Sequence, residues 1–204
     1  MLTPPYGLEI QMSVTPHGIH HVTAIAGDPQ RNVDFYTKVF GLRLVKQTVN
    51  FDAPHIWHLY YGDEHGSPAS ILTFFPWPGV TPGREGSGLT TATSFSVPAT
   101  SLGFWSKHLA GLNIDWSWGK DSSGYDLIEV RDYDGMRLQL VGTVGDSRSG
   151  WDGVANIPAE HAVRGLHSVE LSQIQIDPTA GMLQNLLGMS LSSESSGKAN
   201  FQMA

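Results

Sequence analysis

Val33-Asp34-Phe35-Tyr36-Thr37-Lys38-Val39-Phe40, running into Gly41-Leu42-Arg43-Leu44, returns further along the chain as Leu102-Gly103-Phe104-Trp105-Ser106-Lys107-His108-Leu109. After one extra residue, Ala110, this second stretch runs into Gly111-Leu112-Asn113-Ile114. The aromatic pair, the hydroxyl residue, the lysine and the Gly-Leu-x-aliphatic exit recur in order. A third version closes as Leu186-Leu187-Gly188-Met189-Ser190-Leu191. Self-similarity of this kind marks one supersecondary unit used several times, and overlooking it would misread the whole fold. Each copy has helical spacing: Val33, Tyr36, Phe40 and Leu102, Trp105, Leu109 make one apolar stripe to lay on a sheet. Gly41, Gly111 and Gly188 stand where a left-handed C-terminal cap is expected. Asp28-Pro29, Thr100 and Asp177-Pro178 mark the helix starts.

Alternating apolar runs predict strands around these helices. In the first copy they are Ile19–Ala26, Leu42–Phe51, His55–Gly62 and Ser70–Trp77; in the second, Thr90–Val97, Ile114–Ser117, Tyr125–Tyr133 and Met136–Val141. The third offers Arg164–Ser172 and a strand from Ser190 onward. The fold class is therefore α+β, built of βαβββ modules, two complete and a third partial. Breaker-rich stretches, Pro76 to Gly88 and Gly142 to Pro158, separate the copies. The expected organisation is a tail at 1–16, modules at 17–78 and 79–143, a linker at 144–163 and a partial module at 164–204. On this reading the third copy is short of two strands. Unpaired strands expose backbone donors and acceptors that folded proteins normally cover. The expectation is a natural protein that continues, or a second chain that completes the unit, as a homodimer or higher oligomer.

Composition narrows the function classes. The 204 residues are 40% hydrophobic and 15% charged, enough apolar surface to offset the entropy of ordering. A formal charge of −7, with no basic run, argues against nucleic acid or an anionic membrane as partner. The chain has no cysteine, which excludes disulfides, thiolate metal sites and cysteine nucleophiles. The stretch Met1 to Pro16 lacks the pattern of a secretory signal, so the expected location is the cytoplasm. There is no Gly-x-Ser-x-Gly elbow and no phosphate-binding glycine loop.

Candidate chemistry centres on His20 and His21, adjacent on the first strand of the first module. Neighbouring strand residues face opposite ways, so one of them can look into a cavity with Thr23. His167 lies on the matching strand of the third copy, and Thr90 or Thr91 holds the matching place in the second. The last strands align Thr73 with Gln139, both poor metal ligands. The two complete modules thus offer His21 and little else, short of the about three protein ligands a catalytic metal needs. His55 and His58, flanking Trp57, read as structural. Glu64, His65, Arg84 and Glu85 read as solvated, and Glu160 and His161 as linker contacts.

Gly18-Ile19-His20-His21-Val22-Thr23-Ala24-Ile25, Asp34-Phe35-Tyr36 and Gly41-Leu42-Arg43-Leu44-Val45-Lys46 resemble the opening of a vicinal oxygen chelate protein. That superfamily holds glyoxalases, antibiotic-resistance proteins and extradiol dioxygenases. His58-Leu59-Tyr60-Tyr61-Gly62-Asp63-Glu64, Gly66-Ser67-Pro68, Phe74-Phe75-Pro76 and Glu160-His161-Ala162 with Arg164-Gly165 and His167-Ser168 are similar to its hydroquinone-cleaving branch. The resemblance implies four modules paired into two domains, and a ferrous or manganous ion held by two His and one Glu. His21 would be one metal ligand and His20 a proton-transfer residue beside the substrate. The remaining ligands belong to a fourth module, which this sequence does not contain, and His167 is not carried over as a ligand. The implied substrates are a small aromatic diol and dioxygen, whose joint binding at the metal opens the ring next to a hydroxylated carbon. Two other readings stay open: a non-catalytic small-molecule-binding protein of this fold, and a glyoxalase-type isomerase whose site forms across a dimer.

Overall fold

The computed structural model describes residues 17–153 and 155–203, so the expected tail at 1–16 lies outside the described residues. The chain divides into one unit spanning Ile19–Ile174 and a second that includes Gln175–Ala204. In the first unit, the first copy runs β1 (His21–Ala26), α1 (Pro29–Asp34), a π-helical turn Phe35–Val39, then β2 (Arg43–Val49), β3 (Trp57–Gly62) and β4 (Ile71–Pro76). The Asp28 carboxylate accepts from the Arg31 amide at 2.8 Å and Pro29 occupies the first helical position, so α1 starts where its cap residues predict. The π-turn widens the inward stripe beyond the predicted one: Phe35, Tyr36, Val39 and Phe40 are all buried, while Val33 is only half-buried. The four strands are ordered β1-β4-β3-β2, with β1 parallel to β4 and the other pairs antiparallel.

The second copy has β5 (Leu89–Pro98), α2 (Leu102–Gly111), β6 (Trp116–Lys120), β7 (Asp126–Arg131) and β8 (Arg137–Thr143). Its sheet repeats the order and adds β9 (Gly165–Ser172) antiparallel to β5, giving β6-β7-β8-β5-β9. Two expectations change here. Thr100 lies inside a 3-10 turn, Ala99–Ser101, and does not cap α2. Gly111 ends α2 without a positive φ. The extra Ala110 moves the reversal along the chain to Asn113, at φ +54°, and the following strand shifts to Trp116–Lys120. In the first copy Gly41 does take the left-handed conformation, at φ +67°.

In the second unit, α3 (Ile176–Asn185) carries Asp177-Pro178 within its first turn and is followed by β10 (Ser190–Ser195) and β11 (Lys198–Gln202). These two strands form an antiparallel hairpin around Ser196-Gly197, whose φ values of +50° and +76° suit a two-residue turn. Among the described residues the third copy therefore has three strands, one more than the sequence pattern predicts. Ser-Gly divides the closing stretch into two short strands that apolar pattern alone merges into one.

Within Ile19–Ile174 the helices of the two copies share one core. The Phe40 ring lies 5.7 Å from Phe95 and 6.1 Å from Trp105 of the second copy. The Tyr36 hydroxyl donates to Asp132 at 2.8 Å, and the Val39 carbonyl accepts from His108 Nε2 at 2.9 Å. Each large apolar side chain buried here contributes ~1.5–3 kcal/mol. The linker joins this core through Ile157, Ala162 and Val163. His161 stacks on Phe104 at 4.4 Å and bonds Ser101 at 3.0 Å, a packing role. Arg148 donates to Asp146 at 2.6 Å, and also to the carbonyls of Ala69 and Leu166, so it ties the linker to the first copy and to β9.

Candidate functional site

Strand alternation sorts the first sheet into two faces. Val22, Ala24, Leu72, Phe74, Leu59 and Tyr61 pack toward the shared core. His21, Thr23 and Ile25 of β1, Thr73 and Phe75 of β4, and His58 and Tyr60 of β3 take the other face, a cup. Ile25, a large apolar side chain, is 66% exposed there. Register aligns the cup residues in a row, because Tyr60 pairs with Thr73 and Thr73 with Thr23. The row is bonded throughout. Tyr60 Oη lies 2.8 Å from His58 Nδ1, His58 Nε2 lies 3.2 Å from Thr73 Oγ1, and Thr73 Oγ1 donates to Thr23 Oγ1 at 2.9 Å. The His58 ring lies tilted against Phe75 at 3.9 Å and Tyr60 at 4.1 Å, and Lys46 Nζ sits 5.2 Å over the Tyr60 ring. Burial first, then the neighbouring charge of Lys46, pushes His58 below the usual imidazole value, so it is neutral at pH 7.

His21 lies on the same face two residues before Thr23, and His20 Nδ1 meets His21 Nδ1 at 3.0 Å. Both rings are exposed. That contact occupies the Nδ1 atoms and leaves His21 Nε2 as the atom to offer a ligand, with His20 fixing the ring. Among the described residues no three His, Asp or Glu side chains gather as a metal cluster. One imidazole does not hold an ion, so the residues present do not by themselves fit a resident metal.

The second sheet shows what became of the same positions elsewhere. Thr23 pairs with Thr73 as Ser94 pairs with Gln139, so the place of His21 falls on Ala92, not on Thr90 or Thr91. The stretch from Ser94 to Gly111 is one residue shorter than that from Thr23 to Gly41, so counting back from the glycines misses the place. On this face of the second sheet Arg137 bonds Glu129 at 2.6 Å and Glu170 at 3.4 Å. In the third copy Gly165, at φ +140°, repeats Gly18 at φ +154°. Counting from these glycines puts His167 at the place of His20 and Ser168 at the place of His21. His167 Nδ1 touches Ser168 Oγ at 3.1 Å, as His20 touches His21.

Of the residues singled out from sequence, the structure brings His20, His21 and Thr23 together and leaves His167 on the other sheet. His58, which the sequence reads as structural, and Thr73, a poor metal ligand, form the cup floor with Tyr60, a residue the sequence does not single out. The signal was the His58-x-Tyr60 spacing, which places both on one strand face. Glu64 and His65 are exposed, and Glu85 pairs with Arg131 at 2.9 Å on the surface.

A profile of the Glyoxalase/Bleomycin resistance protein/Dioxygenase superfamily matches residues 18–140. MhqO of Bacillus subtilis (strain 168), a candidate ring-cleaving dioxygenase, is 41% identical over 84% of this chain and 54% of its own length. The chlorohydroquinone/hydroquinone 1,2-dioxygenase of Sphingobium indicum is 33% identical over 78% of this chain and 50% of its own. The chain thus spans about half the length of the curated relatives it matches. A crystal structure of a candidate dioxygenase from Bacillus subtilis superposes with a TM-score of 0.87 at 37% identity, covering 93% of this chain and 60% of that one. A glyoxalase I mutant from Zea mays shares the fold, with a TM-score of 0.64 at 16% identity over 87% of this chain and 57% of that one. Among the described residues no helix is long and apolar enough to cross a membrane.

Proposed function

From the premise that this chain belongs to the Glyoxalase/Bleomycin resistance protein/Dioxygenase superfamily, we propose that it supplies the substrate cup and one metal ligand of a ring-cleaving dioxygenase acting on hydroquinone-type aromatic diols. The observation that carries the reading is the His20–His21 contact on the open face of an edge strand, beside an aromatic floor of Phe75, His58 and Tyr60. His21 Nε2 is the ligand atom, for ferrous iron or its manganous counterpart. Completed by further ligands, such a site would hold a metal that supplies open positions for an aromatic diol and for dioxygen. His20 lies next to the ligand and is the residue to take and return a phenolic proton.

The missing ligands enter along β1. Its counterpart in the second copy, β5, is flanked by β8 on one side and by β9 on the other. Among the described residues β1 pairs with β4 alone, so its other edge is where an incoming strand pairs and brings further ligands to His21. The length of the relatives supports a source in additional chain, with a second copy as the alternative. The test uses protein extended to the relatives' length, loaded anaerobically with ferrous iron. His21→Ala is expected to abolish both iron retention and hydroquinone-dependent oxygen uptake. Unchanged uptake would refute the reading.

A further inference from the structure

We propose that Tyr60, His58 and Thr73 form a one-way hydrogen-bond chain that fixes Thr23 as a donor to a phenolic oxygen of the ligand beside His21. All three are positioning residues. The inference rests on the reading of this cup as the substrate site, and it adds the element that orients the diol.

The direction follows from counting hydrogens. Thr73 has one hydroxyl hydrogen and gives it to Thr23 at 2.9 Å. It must therefore accept from His58, whose Nε2 lies 3.2 Å away. A neutral imidazole carries a single N–H, so Nδ1 is an acceptor and takes the Tyr60 hydroxyl hydrogen at 2.8 Å. Every donor in the chain is then used except that of Thr23. Its oxygen already accepts from Thr73 on the sheet side, and its hydrogen is left for the exposed side, which is the cup. A hydroxyl that accepts at the end of such a chain is polarised into a stronger donor, which suits the oxygen of a phenol or phenolate.

The second cup provides an internal comparison. The corresponding row is Glu129, Gln139 and Ser94. There Ser94 donates to Gln139 Oε1 at 2.8 Å, and Gln139 Nε2 points its hydrogen at Glu129 across 3.4 Å. The chain runs the opposite way, Ser94 has spent its hydrogen, and the neighbouring place of His21 is Ala92. The same three strand positions thus present a free donor only in the cup that also has the His pair.

The experiment uses the chain as it stands, labelled with nitrogen-15, with hydroquinone as probe and p-xylene as its hydroxyl-free counterpart. The His58 ring is expected as the Nε2–H tautomer. Thr73→Val breaks the chain with little change of shape and should weaken hydroquinone roughly five- to tenfold, the value of one hydrogen bond. The same change should leave p-xylene unaffected, and Thr73→Ser should restore hydroquinone binding. A purely structural role would move both ligands together. An Nδ1–H tautomer, an equal loss for both probes, or no loss for hydroquinone overturns the inference while leaving the cup as substrate site. Hydroquinone that perturbs no cup resonance in the unaltered chain overturns the cup reading and this inference with it.

Discussion

Alanine at Gly41 and alanine at Gly111, equivalent positions in the two copies, should change stability in opposite directions. Gly41 sits at φ +67°, a conformation that costs an L-residue ~1–2 kcal/mol. An added Cβ would also lie 2.8 Å from Cδ1 of the buried Ile157 and 3.6 Å from Cβ of Ala155. Making room in that packed core costs a further ~1 kcal/mol or more, since Ile157 has little space in which to turn. Gly41→Ala should therefore destabilise the chain by about 2–4 kcal/mol. Gly111 has no positive φ, and a Cβ there meets nothing within 4 Å. Gly111→Ala removes only unfolded-state freedom at the end of α2 and should stabilise by about 0.4–1 kcal/mol. Urea unfolding followed by tryptophan fluorescence measures both, the core containing Trp105. A Gly41→Ala protein as stable as the unaltered chain, or a Gly111→Ala protein equally weakened, would refute the assignment of the reversal to Gly41 in one copy and Asn113 in the other.

Tyr36→Phe leaves an oxygen of the largely buried Asp132 without its 2.8 Å donor and should cost ~1–3 kcal/mol, read as a lower urea midpoint at unchanged slope. Burial opposes the charge of Asp146, but the hydrogen bonds from Arg148 and Ser96 outweigh it and hold the carboxyl well below the usual carboxylate range. A lowered folded value contributes stability that is present above pH ~4 and lost as pH falls through the folded value. Asp146→Asn should therefore be less stable than the unaltered chain at pH 7, with the gap closing under acid; a gap independent of pH would refute this. Asp132 works in the other sense. Burial raises it, so its contribution is present below pH ~4 and fades as pH rises through the raised value, which Asp132→Asn should flatten in a stability profile.

The module is legible in the sequence alone. The recurrence of Phe35-Tyr36 as Phe104-Trp105, with a Gly-Leu exit each time, is written in local periodicity. Local periodicity decides which face of a helix or strand is apolar. For the same reason His21 and Thr23 could be assigned to one strand face without coordinates. Strand partners and register are visible only in the folded chain, through the pairing of distant segments. It placed β9 on β5, left β1 at an edge among the described residues, moved the matching place of His21 to Ala92, and lined up Tyr60, Thr73 and Thr23 across three strands. It also showed that one inserted residue, Ala110, transfers the left-handed turn from glycine to Asn113. The physical reason is that ladder partners and register are settled by backbone hydrogen bonds and core packing between segments far apart in the chain. A shift of one residue there reverses every side chain, while the apolar pattern within each segment stays the same.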